Sequence, residues 1–334
     1  MSPLLRYPLF LPRIFWLCVR YHAMPSIITH ANPALPFGGL PFGPKHIVFE
    51  LFDAVLPYAF LPIEWSVVMR IESARSFVAE QGYPVILKPD VGHRGVDVHR
   101  ADNEIELVRL VEAQTWDYVV QRYSQLAAEY GIFYCRMLGS ASGEIISLIH
   151  KVIPVLTGDG IATIAELIDR SDIHNKEAVA AALRQRLEEV SLSGETIQTL
   201  VGAAHAAGSM YFNAKERETV ALRRRIDAIC GFDGFYFGRL DVKADGPEAL
   251  SRGEFEIIEV NGSTSECIHV YDSRIAFLDG LRILNNQWDR LFRIAAAHRN
   301  GGIHLGMRDI VRRYKQFYRA TRVATAMETT NGWK

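Results

Sequence analysis

Two segments in the last third of the chain, GFYFGRLDVK (234–243) and EFEIIEVN (254–261), place acidic, basic and amide side chains at alternate positions. Both are predicted to be long strands, and alternate residues of a strand share a face. Paired side by side, they present one aliphatic face and one face that concentrates carboxylates, a carboxamide and a guanidinium. The polar face consists of Arg239, Asp241, Lys243, Glu259 and Asn261, and the aliphatic face of Leu240, Val242, Ile258 and Val260.

The polar face has the composition of a Mg2+ site. An antiparallel pair with Asp241 opposite Glu259 also sets Arg239 opposite Asn261. Acids on a strand bounded by hydrophobic residues are costly to desolvate unless they are paired or bound to a metal. Mg2+ is commonly held by one or two carboxylates together with substrate phosphates. The alternative for this hairpin is a solvated face with an Arg–Asp ion pair.

A second feature is a lysine beside a glycine-rich turn, in PVILKPDVGHRGVDV. A predicted strand delivers Lys88, and a turn bracketed by Gly92 and Gly95 follows at once. Glycine lets backbone amides approach phosphate oxygens, and an ammonium nearby supplies a point charge. The turn lacks the Walker pattern and leads into a strand, so it is neither a P-loop nor a Rossmann fingerprint. A purely structural hairpin is the alternative.

A third feature is the strand YVVQRY, which runs into a polar break before Glu129. A strand that ends in a linker offers backbone N–H and C=O groups to an adenine edge, and a downstream carboxylate can bind ribose hydroxyls. Glu129 is equally interpretable as a surface acid. Lys151 ends the mostly apolar strand SLIHKV, where a snorkelling lysine is the alternative interpretation.

The bulk composition is that of an ordinary globular protein. The chain has 334 residues, of which 49% are hydrophobic and 22% charged, enough for two or three subdomains. The formal charge of -1 gives no reason to expect nucleic acid as a partner. The four cysteines lie far apart without a CxxC pair, which argues against a disulfide framework or a zinc site. We therefore expect a cytoplasmic protein.

The N-terminal stretch LLRYPLFLPRIFWLCVRYHAMP is rich in large apolar residues. Three arginines interrupt it and two prolines break it, so neither a membrane-spanning helix nor a signal peptide fits. We expect it to pack on the body of the domain. Contact with a membrane surface and a dimer patch are the alternatives.

Local patterns predict alternating strands and helices after about residue 72. SARSFVAEQG is predicted to be a helix with Ser73 as N-cap and Gly82 at its end, and Asp102 or Asn103 is predicted to cap the next helix. GIFYCRML and EIISLIHKV are predicted to form an antiparallel pair. The remaining predictions are strands at 84–89, 96–100 and 117–123 and helices at 165–190, 215–230 and 276–325.

Taken in order, these features resemble the ATP-grasp superfamily, and within it carboxylate–amine ligases such as D-alanine–D-alanine ligase, cyanophycin synthetase and the glutathione synthetases. The resemblance runs from about Glu72 to Ser273. GRLDVK and IIEVNGSTSE look like the R-x-D and E-x-N strands of the superfamily. IPVLTGDGIATIAELID is similar to the GDGxxT-x-x-EL segment of cyanophycin synthetase-like ligases.

The resemblance implies an α/β (α+β) fold in which two lobes sandwich the nucleotide. Residues 1–71 do not match the usual N-terminal domain and are expected to form an atypical region. The other divisions implied are a small lobe with the phosphate loop (72–155), a large lobe with the Mg2+ site (156–300) and a helical tail (301–334).

The resemblance also assigns roles to individual residues. Asp241, Glu259 and Asn261 are expected to hold Mg2+, for which Mn2+ is an alternative, and Arg239 is expected to stabilise the transition state. Arg136 is expected to hold a carboxylate. The residues expected to bind ATP are Lys88, Gly92, His93, Arg94, Gly95, Gln121, Arg122, Tyr123, Glu129 and Lys151. The candidates for the acceptor side are His205, Ser209, Ser263 and Ser265.

The function implied is an ATP-dependent ligase that joins a small carboxylate to an amine through an acyl phosphate, one of the two being an amino acid. Lys88, Lys151, Arg136 and Arg239 are the catalytic candidates. A kinase acting on a hydroxyl or enol, and a nucleotide-binding protein without turnover, are the alternatives. By analogy with relatives, we expect a homodimer. Two departures from the pattern are His93 and Arg94 in place of small residues, and Gln121 in place of a common Glu.

Overall fold

The computed structural model describes residues 6–92, 95–173, 176–199, 209–272, 274–299 and 305–315. These residues form three antiparallel sheets with helices packed around them. The strands are β1 (Tyr58–Leu61), β2 (Val85–Pro89), β3 (His99–Ala101), β4 (Tyr118–Arg122), β5 (Ala128–Cys135), β6 (Glu144–Val152), β7 (Val155–Thr157), β8 (Thr196–Gln198), β9 (Met210–Asn213), β10 (Phe237–Ala244) and β11 (Glu256–Asn261).

The α-helices connect the strands and cover the sheets. They are α1 (Arg6–Arg20), α2 (Lys45–Glu50), α3 (Val67–Gln81), α4 (Glu104–Glu112), α5 (Ile164–Arg170), α6 (Lys176–Ala182), α7 (Val220–Cys230), α8 (Gly246–Arg252) and α9 (Phe277–Ala297), with a further helix over 307–315. Short 3-10 helices cover Pro25–His30, Pro36–Gly38, Lys215–Arg217 and Ile268–Tyr271. Within the part of the chain described, no helix has the length and apolarity needed to cross a bilayer.

The four-stranded sheet has the order β1-β4-β2-β3, and α3 and α4 pack on it. Helix α3 begins seven residues before the predicted start, because Ser66 rather than Ser73 accepts the capping hydrogen bond, from the Met69 amide. It ends at Gly82, as predicted. Helix α4 is capped by Asn103, one of the two predicted caps.

Strand β3 is shorter than the predicted strand at 96–100. Asp97 has a left-handed backbone with φ of 59°, which does not fit an extended strand. Its carboxylate accepts hydrogen bonds from Tyr118 and from the His99 ring. This local turn delays the strand until His99.

The five-stranded sheet has the order β11-β10-β5-β6-β9. It contains both predicted pairs, β5 with β6 and β10 with β11. Asp241 lies opposite Glu259 and Arg239 opposite Asn261, which is the predicted register. The hydrophobic core of the molecule lies under the aliphatic face of this sheet.

The prediction of the aliphatic face is wrong at one residue, Ile258. A bulge after Asp241 places Val242 opposite Ile257. A bulge adds one residue to one strand and so reverses the alternation beyond it. Ile257 is therefore fully buried in the core in place of Ile258, whose carbonyl group instead contacts Lys88.

The sheets group the strands differently from the predicted lobes. Strands β5 and β6, placed with the small lobe, hydrogen-bond into the same sheet as β10. Strand β1, from the predicted N-terminal region, pairs with β4. Backbone pairing between strands distant in sequence decides this grouping, and local patterns do not contain it.

The helical predictions hold in part. Helices α5 and α6 occupy only portions of 165–190, and α7 begins at Val220 because Thr219 caps it. The predicted helix at 276–325 corresponds to α9 and the helix over 307–315, and its last ten residues lie outside the described part of the chain. Helix α1 packs on α9, so the expectation that the N-terminal stretch lies on the domain body is confirmed for its inward face.

Candidate functional site

Asp241 is the centre of a buried ionic network on the polar face of the five-stranded sheet. Lys151 Nζ lies 2.9 Å from Oδ1, and Arg239 donates through Nε to Oδ1 at 2.9 Å and through Nη2 to Oδ2 at 3.2 Å. The Asn261 amide donates to Oδ2 at 3.3 Å. Burial opposes ionisation of Asp241, but Arg239 and Lys151 outweigh it and lower its pKa to about 2. This carboxylate is ionised throughout the neutral range.

Lys151 bridges two carboxylates that come from neighbouring strands. Its Nζ is 2.9 Å from Glu129 Oε1 as well as 2.9 Å from Asp241 Oδ1. Burial of the ammonium is offset by the two negative charges, which raise the pKa of Lys151 above its usual value. Gly131 sits beside Asp241 in the sheet, and a Cβ there would lie 3.3 Å from Arg239 Cδ. The missing side chain leaves room for the Arg239 side chain to reach Asp241.

Lys88 joins the two larger sheets. It lies on β2 of the four-stranded sheet, and its Nζ donates to Gln121 Oε1 at 2.7 Å and to the Ile258 carbonyl on β11 at 3.0 Å. Burial lowers the pKa of Lys88 to about 8, against the opposing effect of Glu259. The structure therefore brings two of the predicted nucleotide-site residues, Lys88 and Gln121, together at the junction of the sheets.

Lys45 is a residue of this junction that sequence reasoning missed. Its Nζ donates to the Gly92 carbonyl at 2.9 Å and to the Pro89 carbonyl at 3.2 Å, so it holds the first half of the glycine turn. Burial lowers its pKa, and Glu259 opposes that effect. In the sequence, the only indication of this role was the position of Lys45 at the end of the Pro- and Gly-rich run. The contact spans more than forty residues of sequence.

Glu259 has a different environment from Asp241. Its carboxylate forms no hydrogen bond or ion pair within the described residues, and its charge acts on Lys45, Lys88 and Arg239. It lies on the strand next to that of Asp241, opposite Asp241 in the register. Glu259 is thus a carboxylate surrounded by cations without a direct partner.

The residues predicted to hold the metal ion would bind it through oxygen atoms only. Among the described residues, no group of three or more His, Cys, Asp and Glu side chains lies together as a metal site. Asp241, Glu259 and Asn261 supply two carboxylates and an amide oxygen on one face. That donor set is compatible with Mg2+ bound jointly to protein and substrate phosphates, and less so with a cation held by protein alone.

Three other predicted residues are engaged elsewhere. Arg136 donates to the Phe232 carbonyl at 2.6 Å, and its guanidinium lies over the Tyr236 ring at 4.6 Å. Arg122 donates to Glu256 at 2.7 Å. The Tyr123 ring lies under the side chains of Arg100 and Lys243. The structure gives a structural role to Arg136 and no contact between it and the Asp241 network.

The acceptor-side candidates divide into several environments. Ser263 donates to the Gly38 carbonyl and accepts from Asn32, so it fixes the N-terminal loop. Ser209 and Ser265 are buried, and their hydroxyl groups have no partner within the described residues. The acceptor-side candidate His205 lies outside the described part of the chain, as do His93 and Arg94 of the predicted phosphate loop. Gly95, also in that loop, has a left-handed φ of 73°.

A buried serine–histidine pair was also missed. Ser147 Oγ lies 2.6 Å from His269 Nδ1, and burial lowers the pKa of His269 to about 4. Ser147 lies four positions before Lys151 on β6, so the two side chains share a face of the strand. No sequence motif links these two residues, which lie 122 positions apart.

Comparison of the sequence with known proteins finds a similarity to cyanophycin synthetase of Synechocystis. The two are 25% identical over 221 residues, which is 58% of this chain and 24% of that protein. This chain thus matches about a quarter of its relative. No family model matches the chain. The match and the two antiparallel sheets that meet at Lys88 agree with the fold predicted from the sequence.

The chain also has a partial likeness to several solved structures. Solved structures with an overall likeness include D-alanine–D-alanine ligase of Bacillus anthracis, with 12% identity, a TM-score of 0.45 and coverage of 77% of this chain and 68% of that one. A bifunctional glutathione synthetase of Pasteurella multocida has 14% identity, a TM-score of 0.37 and coverage of 73% and 36%.

Proposed function

We propose that this protein is an ATP-dependent ligase that joins a small carboxylate to an amine, with an amino acid as one of the two. The observation that carries the proposal is the β10–β11 register, which sets Asp241 opposite Glu259 and Arg239 opposite Asn261. Lys88 and Lys151 add two ammonium groups around these acids. The similarity to cyanophycin synthetase supports the same activity.

The proposed site binds Mg-ATP at the junction of the sheets. Asp241, Glu259 and Asn261 would hold Mg2+, which when bound neutralises phosphate charge. Lys88 and Lys151 would bind phosphate oxygens, and the support for this role is that both are buried cations close to the acids of the site. The glycine turn, held by Lys45, offers backbone amides to the same phosphates.

The proposed reaction has two steps. The substrate carboxylate attacks the γ-phosphorus of ATP, which gives an acyl phosphate and ADP. The amine then attacks the acyl carbon, and inorganic phosphate leaves as the amide forms. Arg239 is a fixed guanidinium beside the acids and would stabilise the developing oxyanion, where loss of one donor typically costs ~3–4 kcal/mol.

The first test measures ADP release across a panel of amino acids and small carboxylic acids. Asp241→Asn and Glu259→Gln are expected to abolish substrate-dependent ADP release and to leave the circular dichroism spectrum unchanged. Glu254→Gln is the matched control, because Glu254 is an exposed acid just before the same strand. Full activity in both site variants would remove the metal assignment.

Hydroxylamine trapping separates the ligase from its alternatives. A ligase converts hydroxylamine and its carboxylate substrate into a hydroxamate while it releases ADP. ADP release with a phosphorylated product and no hydroxamate would replace the proposal with a kinase. ATP binding without ADP release for any substrate in the panel would replace it with a non-catalytic nucleotide-binding protein.

A further inference from the structure

Helix α1 has apolar residues on two opposite faces. Its inward face, with Leu17 fully buried, packs on α9. Its outward face carries Leu11, Phe15 and Val19 at intervals of four residues, and these side chains are 65%, 71% and 57% exposed. Residues four apart on a helix lie one above the other, so the three form one continuous row. Packing among the described residues does not account for this row.

One aromatic and two basic side chains lie along the edge of this row. Trp16 is 42% exposed, and the guanidinium groups of Arg13 and Arg20 lie over its ring at 4.3 and 4.9 Å. Both arginines also lie within 3.7 Å of Asp289 on α9. Arg20 remains half exposed. Tryptophan and arginine beside large apolar residues are typical of a helix that lies in a membrane interface.

The charge of the surrounding sequence favours an anionic surface. Helix α1 contains Arg6, Arg13 and Arg20 and no aspartate or glutamate. Its formal charge is +3, in a chain whose total is -1. Basic residues next to an inserted apolar row add attraction to anionic lipid headgroups.

We infer that α1 is a membrane-surface element that lays its outward row into the headgroup region of an anionic bilayer. The charge pattern favours a bilayer over a second copy of this chain. A two-fold contact through α1 would bring the basic segment of one copy against the same segment of the other. The inference concerns a surface away from the nucleotide site and does not depend on the proposed activity.

The test is sedimentation of the full chain with vesicles. We expect binding to vesicles of phosphatidylglycerol and phosphatidylcholine, and little binding to phosphatidylcholine alone. The triple variant Leu11→Ser, Phe15→Ser, Val19→Ser is expected to reduce the partition coefficient at least tenfold. High salt is expected to weaken binding of the unmodified chain, because it screens the arginines.

A matched control removes three equally exposed apolar side chains from other elements. They are Ile105, Leu138 and Val220, which are 82%, 51% and 60% exposed. Their replacement by serine is expected to leave vesicle binding unchanged. The single variant Phe15→Glu tests the same row if the triple variant unfolds. ADP release measured without vesicles is expected to be unchanged in all these variants.

Three results would overturn the inference. One is absence of binding to anionic vesicles by the unmodified chain. Another is an equal loss of binding in the control variant. The third is a dimer in solution that the α1 triple variant converts to a monomer, which would show that a second copy covers the row.

Discussion

Replacement of Lys151 by methionine is the sharpest test of the buried network. The lysine contributes one positive charge that contacts two carboxylates, Glu129 and Asp241, each at 2.9 Å. All three side chains are at most one-tenth exposed. Methionine preserves most of the aliphatic stem and removes the charge. Glu129 then loses its ion-pair partner, whereas Asp241 keeps Arg239.

The expected loss of stability is several kcal/mol. At an effective dielectric constant of ~20, each contact of 2.9 Å corresponds to about 6 kcal/mol of Coulomb attraction. Desolvation of the ammonium in the folded protein offsets a large part of this attraction. Breaking a buried pair typically costs ~3–5 kcal/mol, because a charge is left without compensation. We expect a loss of that size at pH 8 for Lys151→Met.

The assay is urea unfolding followed by tryptophan fluorescence at pH 8 and pH 5. The loss is expected to be smaller at pH 5, because without the lysine the pKa of a buried carboxylate rises and protonation relieves the unpaired charge. Glu129→Gln added to Lys151→Met is expected to recover part of the loss. Arg282→Met, which breaks an exposed pair with Asp279, is the control and is expected to change stability by less than ~1 kcal/mol. A loss below ~1 kcal/mol for Lys151→Met at pH 8 would refute the reasoning.

Three further predictions follow from the site and its surroundings. Affinity for ATP is expected to fall as the pH rises through about 8, where Lys88 loses its proton; titration calorimetry should show this step in the unmodified protein and not in Lys88→Gln. The folded-state pKa of His269, about 4, lies below its unfolded value, so its contribution to stability is complete above pH ~6.5 and is lost as the pH falls toward 4. Between pH 7 and pH 4, the unmodified protein is expected to lose ~3 kcal/mol more stability than His269→Gln in urea unfolding. Gly262→Ala is expected to destabilise the protein by ~2 kcal/mol or more, because a Cβ there would lie 2.5 Å from Gly39 Cα.

A specific result would contradict each of these predictions. An ATP affinity that shows the same pH step in Lys88→Gln would exclude Lys88 as its source. Equal pH dependence of stability in the unmodified protein and in His269→Gln would show that the imidazole is not held neutral by burial. For the glycine, Gly306→Ala is the control, because its Cβ would meet no atom closer than 3.6 Å, and equal melting temperatures for the two alanine variants would contradict the steric argument.

The sequence predicted well those features that depend on local periodicity. Strand alternation was sufficient to place Arg239 and Asp241 on one face, and the structure has the pairing with Asn261 and Glu259 that was assumed for the two strands. The aliphatic face was assigned correctly except at Ile258, because a bulge is decided by the fit of one strand to its partner. The start of α3 was placed too late, because several serines can act as a cap and packing selects one of them.

The amino-acid sequence by itself determined which side chains the site can use, since the residue types and their spacing of two along a strand fix a common face. Only the tertiary structure decided how those side chains are paired. Lys151 lies between Glu129 and Asp241 because β5 separates β6 from β10 in the sheet. Lys45 reaches the glycine turn because α2 packs beside the end of β2. Such contacts join distant parts of the chain, and their free energy depends on burial and on neighbouring charges that exist only in the folded protein.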